Sequence, residues 1–111
     1  MLHALLHGGF VDEARAFCDW LLRAVAGDPA KLQIMYGVAG ERTLDERVLD
    51  WLPGYEGSIP VRVGNAAAGQ LQLDVYGEVS DTFHQARRLG LDSDGPIWEL
   101  QKTITEWLES N

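Results

Sequence analysis

The sequence predicts an all-α fold, mainly helical, in which a small two-stranded ribbon lies between two helical hairpins. In three long segments, apolar residues recur at the three- and four-residue spacing of a buried helical stripe. Two shorter apolar segments, bounded by Gly and Pro, indicate extended chain. With 111 residues, 46% of them hydrophobic, the chain is long enough for a single packed piece spanning residues 1–111.

The first helical hairpin is predicted over residues 1–26. The opening MLHALLH resembles the last turns of a helix, and Gly8 and Gly9 are expected to end it. Val11–Ala26 follows as the clearest helix, and the short connection makes the two helices neighbours. The expected buried stripe of the second helix contains Val11, Ala14, Cys18, Leu21, Leu22 and Val25.

The ribbon is predicted to form between Leu32–Val38 and Tyr55–Val63. Both segments are short, apolar and flanked by breakers, and the second alternates loosely between apolar and polar residues. Thr43–Asp50 is expected to make one or two helical turns, because its Thr is followed three residues later by Glu, as in a capping box.

The second hairpin begins with a long helix, predicted over Asn65–Leu89 with Asn65 as its N-cap. Ala66–Gly69 carries little side-chain bulk, so another helix or a ligand is expected to approach there. A final helix is predicted over Pro96–Glu109. Leu71, Val75, Val79 and Phe83 form the expected buried row of the long helix, and Asn65, Gly69, Gln72, Tyr76 and Ser80 form a polar or small row on another face. Ser93 or Asp94 is the expected cap of the final helix.

The composition argues against several classes of partner. The net charge is -8 and the pI about 4.6, so we expect no nucleic acid and no anionic membrane surface as a partner. Cys18 is the single cysteine and is expected to be a buried hydrophobe. His3 and His7 lack a companion carboxylate motif, so no metal site is expected. With no convincing signal peptide, we expect a cytoplasmic protein.

Amides, carboxylates and phenols are unusually dense between residues 52 and 78. Such groups bind polyhydroxylated ligands, because amides and carboxylates hydrogen-bond hydroxyls while aromatic rings stack on the sugar. The alternative is a solvated helix face, in which Asp74 and Glu78 repel one another or pair with an arginine at position 42, 47 or 62. The candidate sugar-binding residues are Tyr55, Asn65, Gln70, Gln72, Asp74, Tyr76 and Glu78, with Trp51 as a further aromatic.

Catalytic carboxylates cannot be selected by spacing, because the chain is rich in acids. Glu99 follows Trp98, and an acid beside an aromatic can have a raised pKa. It also falls in the first turn of a predicted helix, where Glu is favoured by the helix dipole. The second interpretation is preferred, and no catalytic residue is assigned.

The run LPGYEGSIPVRVGNAAAGQLQLDVYGE resembles the central segment of glycoside hydrolase family 15, the bacterial and archaeal glucoamylase, glucodextranase and trehalase group. ALLHGGFVDEARAFCDWLL and LQIMYGVAGERTLDERVLDWLPGY resemble the same proteins, so the resemblance covers essentially the whole chain. It implies an (α/α)6 toroid, and inverting hydrolysis of α-linked glucosides without a cofactor. The implied partner is a glucose-containing oligosaccharide or disaccharide.

The resemblance also implies that the chain is an internal fragment, about two helical pairs of the toroid. The family's W-x-R-D segment and its Gly-Ile-Trp-Glu general-acid motif followed by Arg are both missing from these 111 residues. The candidate residues would then form one wall of a sugar pocket, with Gln72 and Asp74 nearest the sugar. We expect the isolated chain to be inactive. The alternative is a non-catalytic helical module that binds a partner or ligand, or that forms a homo-oligomer through exposed apolar helix faces.

Overall fold

The computed structural model describes residues 1–91 and 95–111. The chain is mainly helical with a small two-stranded antiparallel sheet, which confirms the predicted fold class. Within this described part, no helix combines the length and the apolar character needed to cross a membrane. The helices and strands are α1 Leu2–His7, α2 Val11–Val25, β1 Arg47–Val48, β2 Arg62–Val63, α3 Asp74–Arg88 and α4 Pro96–Ser110. Short 3-10 turns lie at Pro29–Lys31, Tyr55–Gly57 and Ala66–Gly69.

The chain forms two compact units. The helical unit contains Met1–Leu32 and Gln72–Asn111, and therefore all four helices named above. The ribbon unit contains Gln33–Leu71 and both strands.

In the helical unit, α1 packs against α2 and α3 packs against α4, as the two predicted hairpins require. The glycine-terminated first helix is also confirmed, since α1 ends at His7 and Gly8 is its C-cap. Val11 is 48% exposed, contrary to prediction, because it is the first residue of α2 and lies at the edge of the stripe. The buried residues of α2 are Ala14, Cys18, Leu21, Ala24 and Val25.

The long helix predicted from Asn65 begins only at Asp74. Asn65 does act as a cap, but of the short Ala66–Gly69 turn: its Oδ1 accepts a hydrogen bond from the Ala67 amide at 2.9 Å. Gln70 then takes an extended conformation that ends this turn. The predicted buried row is therefore wrong at Leu71, which is 65% exposed. The buried residues of α3 are Tyr76, Val79, Phe83 and Ala86.

The ribbon pairs Arg47 with Val63 and Val48 with Arg62. The second strand thus falls within the predicted segment, but Leu32–Val38 forms no strand. The segment Thr43–Asp50 is not helical and supplies the first strand. Glu46 makes no capping box there, because its carboxylate pairs with Arg62 across the sheet at 2.8 Å. A side-chain contact between strands replaces the local contact expected from the sequence.

The final helix, α4, begins at Pro96, as predicted, and runs to Ser110. The residue before it is Gly95, which has a φ of 82°. The expected caps Ser93 and Asp94 lie outside the described residues. Ile97 and Ile104 are the buried residues of α4.

Candidate functional site

An open cleft of about 610 Å³ lies in the ribbon unit beside Asn65. We call it the Asn65 cleft. One wall is the segment 42–46, which is extended chain leading into β1. The other wall is the short turn after Asn65. The lining residues are Gln33, Arg42, Thr43, Leu44, Asp45, Glu46, Asn65, Ala66, Ala68 and Gly69.

Small residues form the second wall of the cleft. A Cβ atom added at Gly69 would meet no heavy atom within 4 Å, so space is open in front of the backbone there. Ala66 and Ala68 likewise bring the backbone close to the cleft surface. Among the described residues of the ribbon unit, only Ala68 is buried, so this unit is held together mainly by hydrogen bonds rather than by an apolar core.

Fixed polar groups form the first wall. The guanidinium of Arg42 lies 5.4 Å from the centre of the Tyr36 ring, within the range of a cation–π contact. The carboxylate of Glu46 is held by Arg62, as described above. With Asp45 between them, the segment 42–46 presents charged donors and acceptors to the cleft. In the described part of the chain, no group of three or more His, Cys, Asp and Glu could hold a metal ion.

A second open cleft, of about 650 Å³, shares residues 43–45 with the Asn65 cleft. Gly64 lines it and has a φ of 78°. A Cβ atom at Gly64 would collide with the carbonyl oxygen of Asp45, so glycine is required where the two segments cross. The backbone hydrogen bond from Asn65 N to Leu44 O, at 2.8 Å, keeps the two walls in register.

Three sequence-predicted site residues belong to the ribbon unit. Asn65 lines the cleft named after it. Gln70 follows the Ala66–Gly69 turn as its C-cap and is exposed. Tyr55 is 85% exposed in its own 3-10 turn, with its ring open to solvent, and it is not among the residues that line the Asn65 cleft.

The other four belong to the helical unit. Gln72 is exposed just before α3, while Asp74 and Glu78 are exposed on successive turns of that helix. Neither carboxylate forms an ion pair with any residue in the ranges 1–91 and 95–111. Arg62, one of the arginines considered as their partner, pairs with Glu46 instead.

Tyr76 was expected to offer its ring to a sugar, but it is buried. Its side chain is 1% exposed, its hydroxyl donates a hydrogen bond to the Pro29 carbonyl at 2.9 Å, and its ring stacks on Trp107. Neither ring face is open to solvent in this structure. Tyr76 therefore supports the helix that carries Asp74 and Glu78.

The surroundings of Glu99 and Cys18 are those of residues that stabilise the fold, not of catalytic residues. Glu99 is exposed in the first turn of α4 and pairs with Lys102 at 2.7 Å. Trp98 beside it carries the Arg87 guanidinium over its ring at 4.3 Å. Cys18 is 1% exposed, and burial raises the pKa of its thiol above the ordinary value of 9.0. Asp19 adds to this rise in pKa, while Arg15 opposes it.

Gln33, Asp45 and Glu46 line the cleft but were not selected as site residues from the sequence. Gln33 donates side-chain hydrogen bonds to carbonyls 9 and 35 residues away, at Arg42 and Ala68. A local sequence pattern carries no information about contacts between residues so far apart in the chain. A partial signal existed in the small residues after Asn65, from which the close approach of a helix or a ligand was predicted.

Comparison with known proteins identifies relatives over most of the chain. Trehalase 1 of Sulfolobus acidocaldarius is 38% identical over 112 residues, which cover 97% of this chain and 20% of that protein. The trehalase of Mycolicibacterium smegmatis is 36% identical over 88 residues, which cover 75% of this chain and 13% of that protein. The trehalase of Thermoplasma volcanium is 29% identical over 109 residues, or 98% of this chain and 17% of that protein. No solved structure matches significantly.

The chain thus spans a fifth or less of the length of these relatives. The family model described as glycosyl hydrolases family 15 matches residues 1–111, so the match extends over both units. The resemblance drawn from the sequence is confirmed, and the chain belongs to glycosyl hydrolases family 15.

Proposed function

We propose that this chain supplies part of the substrate pocket of a glycoside hydrolase that acts on α-linked glucosides. Family membership supports the reaction class, and the names of its relatives favour trehalose, in which two glucose units are joined by an α,α linkage. Residues 1–111 are then one piece of an (α/α)6 toroid. The cytoplasmic location stays a prediction from the sequence.

The Asn65 cleft is the observation that carries this proposal. It combines two amides, a guanidinium and two carboxylates with a wall of small residues. Hydroxyl groups of a sugar both donate and accept hydrogen bonds, so they match such a mixed set better than an apolar ligand would. The role of these residues is to bind and orient the glucose unit, which lowers the entropic part of the barrier.

Inverting hydrolysis needs a general acid and a general base on opposite sides of the scissile bond. We assign neither to this chain, because Glu99 already pairs with Lys102 in a regular helix. The candidates Gln72, Asp74 and Glu78 stay predicted sugar-binding residues, as do Gln70 and Tyr55 in the ribbon unit. We therefore expect the isolated chain to bind sugar without cleaving it.

Two measurements test this function. Trehalose and methyl α-glucoside should shift the backbone amide NMR signals of Asn65 and Gly69, and an unchanged spectrum at saturating sugar would refute the binding role. Trehalose, maltose, isomaltose and starch should show no turnover by the purified chain. Turnover that survives purification and disappears in Glu99→Gln would overturn both the expected inactivity and the structural assignment of Glu99.

A second candidate function is self-association through apolar surface in the ribbon unit. Trp51 is 75% exposed and Ile59 80% exposed. Ile59 and Pro60 line an apolar cleft of about 410 Å³ next to β1. Exposed apolar surface of this kind favours association. Size-exclusion chromatography over a concentration series tests it, since Trp51→Ser should shift an oligomer toward monomer, and a monomer at every concentration would exclude this function.

A further inference from the structure

Gln33 connects the two walls of the Asn65 cleft with one side chain. Its Nε2 donates to the Arg42 carbonyl at 2.9 Å and to the Ala68 carbonyl at 3.1 Å. Its backbone amide donates to the Tyr36 hydroxyl at 2.9 Å, which fixes the start of the side chain. The carbonyls of Arg42 and Ala68 belong to opposite walls, so this amide holds the spacing between them.

These contacts also fix the orientation of the amide. A primary amide has two N–H donors on one atom and an acceptor on the other. Both donors of Gln33 are used on carbonyls, and the flipped orientation would place Oε1 against two carbonyl oxygens. Oε1 is therefore a fixed acceptor, and within the ranges 1–91 and 95–111 no hydrogen bond to it from the protein is found.

Asn65 provides the complementary group in the same cleft. Its Oδ1 accepts from the Ala67 amide at 2.9 Å, so the orientation of this amide is fixed as well. Its Nδ2 then remains a donor. Gln33 and Asn65 both line the cleft, and each carries one oriented group, an acceptor on Gln33 and a donor on Asn65. Adjacent sugar hydroxyls can each donate one hydrogen bond and accept another, which fits this pair.

We propose that Gln33 is a sugar-binding residue of the Asn65 cleft, whose Oε1 accepts a hydrogen bond from one hydroxyl of a glucose unit while its Nε2 holds the two walls. This inference rests on the proposed function. It adds a residue that requires a hydroxyl group at one position of the sugar ring. A carboxylate at this position would place negative charge against two carbonyl oxygens, which explains why an amide serves both tasks.

The test is a comparison of hydroxyl deletion with side-chain deletion. Methyl α-glucoside and its 2-, 3-, 4- and 6-deoxy analogues are titrated into the wild-type chain and into Gln33→Met, which keeps the length of the side chain and removes its polar groups. In the wild type, one analogue should bind about two- to tenfold more weakly than the parent sugar because its hydroxyl no longer reaches Oε1. In Gln33→Met, that analogue and the parent sugar should bind equally, while the other analogues keep their wild-type ratios.

A purely structural role for Gln33 predicts a different result, namely that every sugar weakens by the same factor. Gln85→Met is the matched control, since Gln85 lies on α3 and its amide donates to Asp81 rather than to the cleft. It should leave all affinities unchanged. If Gln33→Met unfolds the ribbon unit, the wild-type side-chain amide signals of Gln33 serve instead. They should shift with the parent sugar and stay unshifted with the one analogue.

The outcomes separate the two proposals. If the wild-type chain binds none of these sugars, the proposed function fails and this inference fails with it. If the wild type binds them and shifts the Asn65 amide signal, but Gln33→Met gives the same affinities and the same ratios among analogues, only the role of Gln33 is overturned.

Discussion

The ring of Tyr76 on α3 stacks on the ring of Trp107 on α4, with centroids 5.1 Å apart and planes 15° from parallel. The Tyr76 hydroxyl also donates to the carbonyl of Pro29, in the turn that α4 contacts. One side chain therefore joins three elements of the helical unit. The aromatic stack and the hydrogen bond act at opposite ends of the same residue, so they can be removed separately.

Tyr76→Phe should lower the free energy of unfolding of the helical unit by about 1–2 kcal/mol, because the Pro29 carbonyl loses its donor while the ring stack is kept. Urea denaturation followed by circular dichroism, together with hydrogen exchange of the α3 amides, measures this loss. Tyr55→Phe removes the same hydroxyl from a ring that is 85% exposed and should change stability by about 0.5 kcal/mol at most. Equal effects of the two substitutions would contradict the role of Tyr76.

Asn65→Asp should preserve the ribbon unit and weaken sugar binding about two- to tenfold. The new carboxylate can still accept from the Ala67 amide, but it has no Nδ2 donor for a sugar hydroxyl. NMR titration with methyl α-glucoside measures both properties. Asn111→Asp repeats the charge change at the end of the chain and should leave the affinity as it is. Unaltered binding by Asn65→Asp would show that Asn65 only caps its turn.

Gly64→Ala should destabilise the ribbon unit by at least about 1–2 kcal/mol. The backbone of Gly64 has a φ of 78°, a conformation that costs an L residue about 1–2 kcal/mol. The added Cβ would also collide with the Asp45 carbonyl. Loss of protection of the Asn65 amide in hydrogen exchange reports the change. Gly69→Ala is the control, because its Cβ meets nothing within 4 Å. A Gly64→Ala chain with full amide protection would show that the crossing tolerates a side chain.

Cys18 should make the stability of the helical unit fall at high pH. Burial raises the pKa of the thiol above 9.0 in the folded chain, so the folded chain keeps the proton at a pH where the unfolded chain releases it. The free energy of unfolding contributed by this group is thus constant below about pH 9 and decreases above it. Urea denaturation at about pH 8 and about pH 10 measures the decrease, which should be smaller in Cys18→Ala. Parallel pH curves for the two chains would contradict the assignment.

Elements with a local cause could be predicted from the sequence. The spacing of Ala14, Cys18 and Leu21 on one helical face determines α2, and Pro96 marks the start of α4. The strand β1 has only two residues, too few to show an alternating pattern, and its pairing depends on residues near position 62. The cap at Asn65 and the apolar row from Leu71 placed the start of α3 too early, because the chain leaves the helical conformation at Gln70.

The candidate site, like the fold, could be predicted only where its residues act on their neighbours in the sequence. Asn65 was identified because an N-cap side chain accepts a hydrogen bond from an amide only two residues further on, so the cause is local. Tyr76 was assigned to a polar face because tyrosine carries a hydroxyl, whereas one carbonyl, that of Pro29, satisfies this group inside the helical unit. Gln33 was missed because both acceptors of its side chain are distant in the sequence.

The hydrogen bond from Gln33 to Ala68 closes a loop between two residues 35 positions apart. The entropic cost of closing a flexible loop grows only with the logarithm of its length, by about 0.6 kcal/mol for each doubling. Lengthening the exposed stretch around residues 50–57 should therefore cost the ribbon unit little, provided that the closing contact stays. The pairing of β1 with β2 lies along the chain between this stretch and the residues of the Asn65 cleft, so insertions there should leave the lining of the cleft in place.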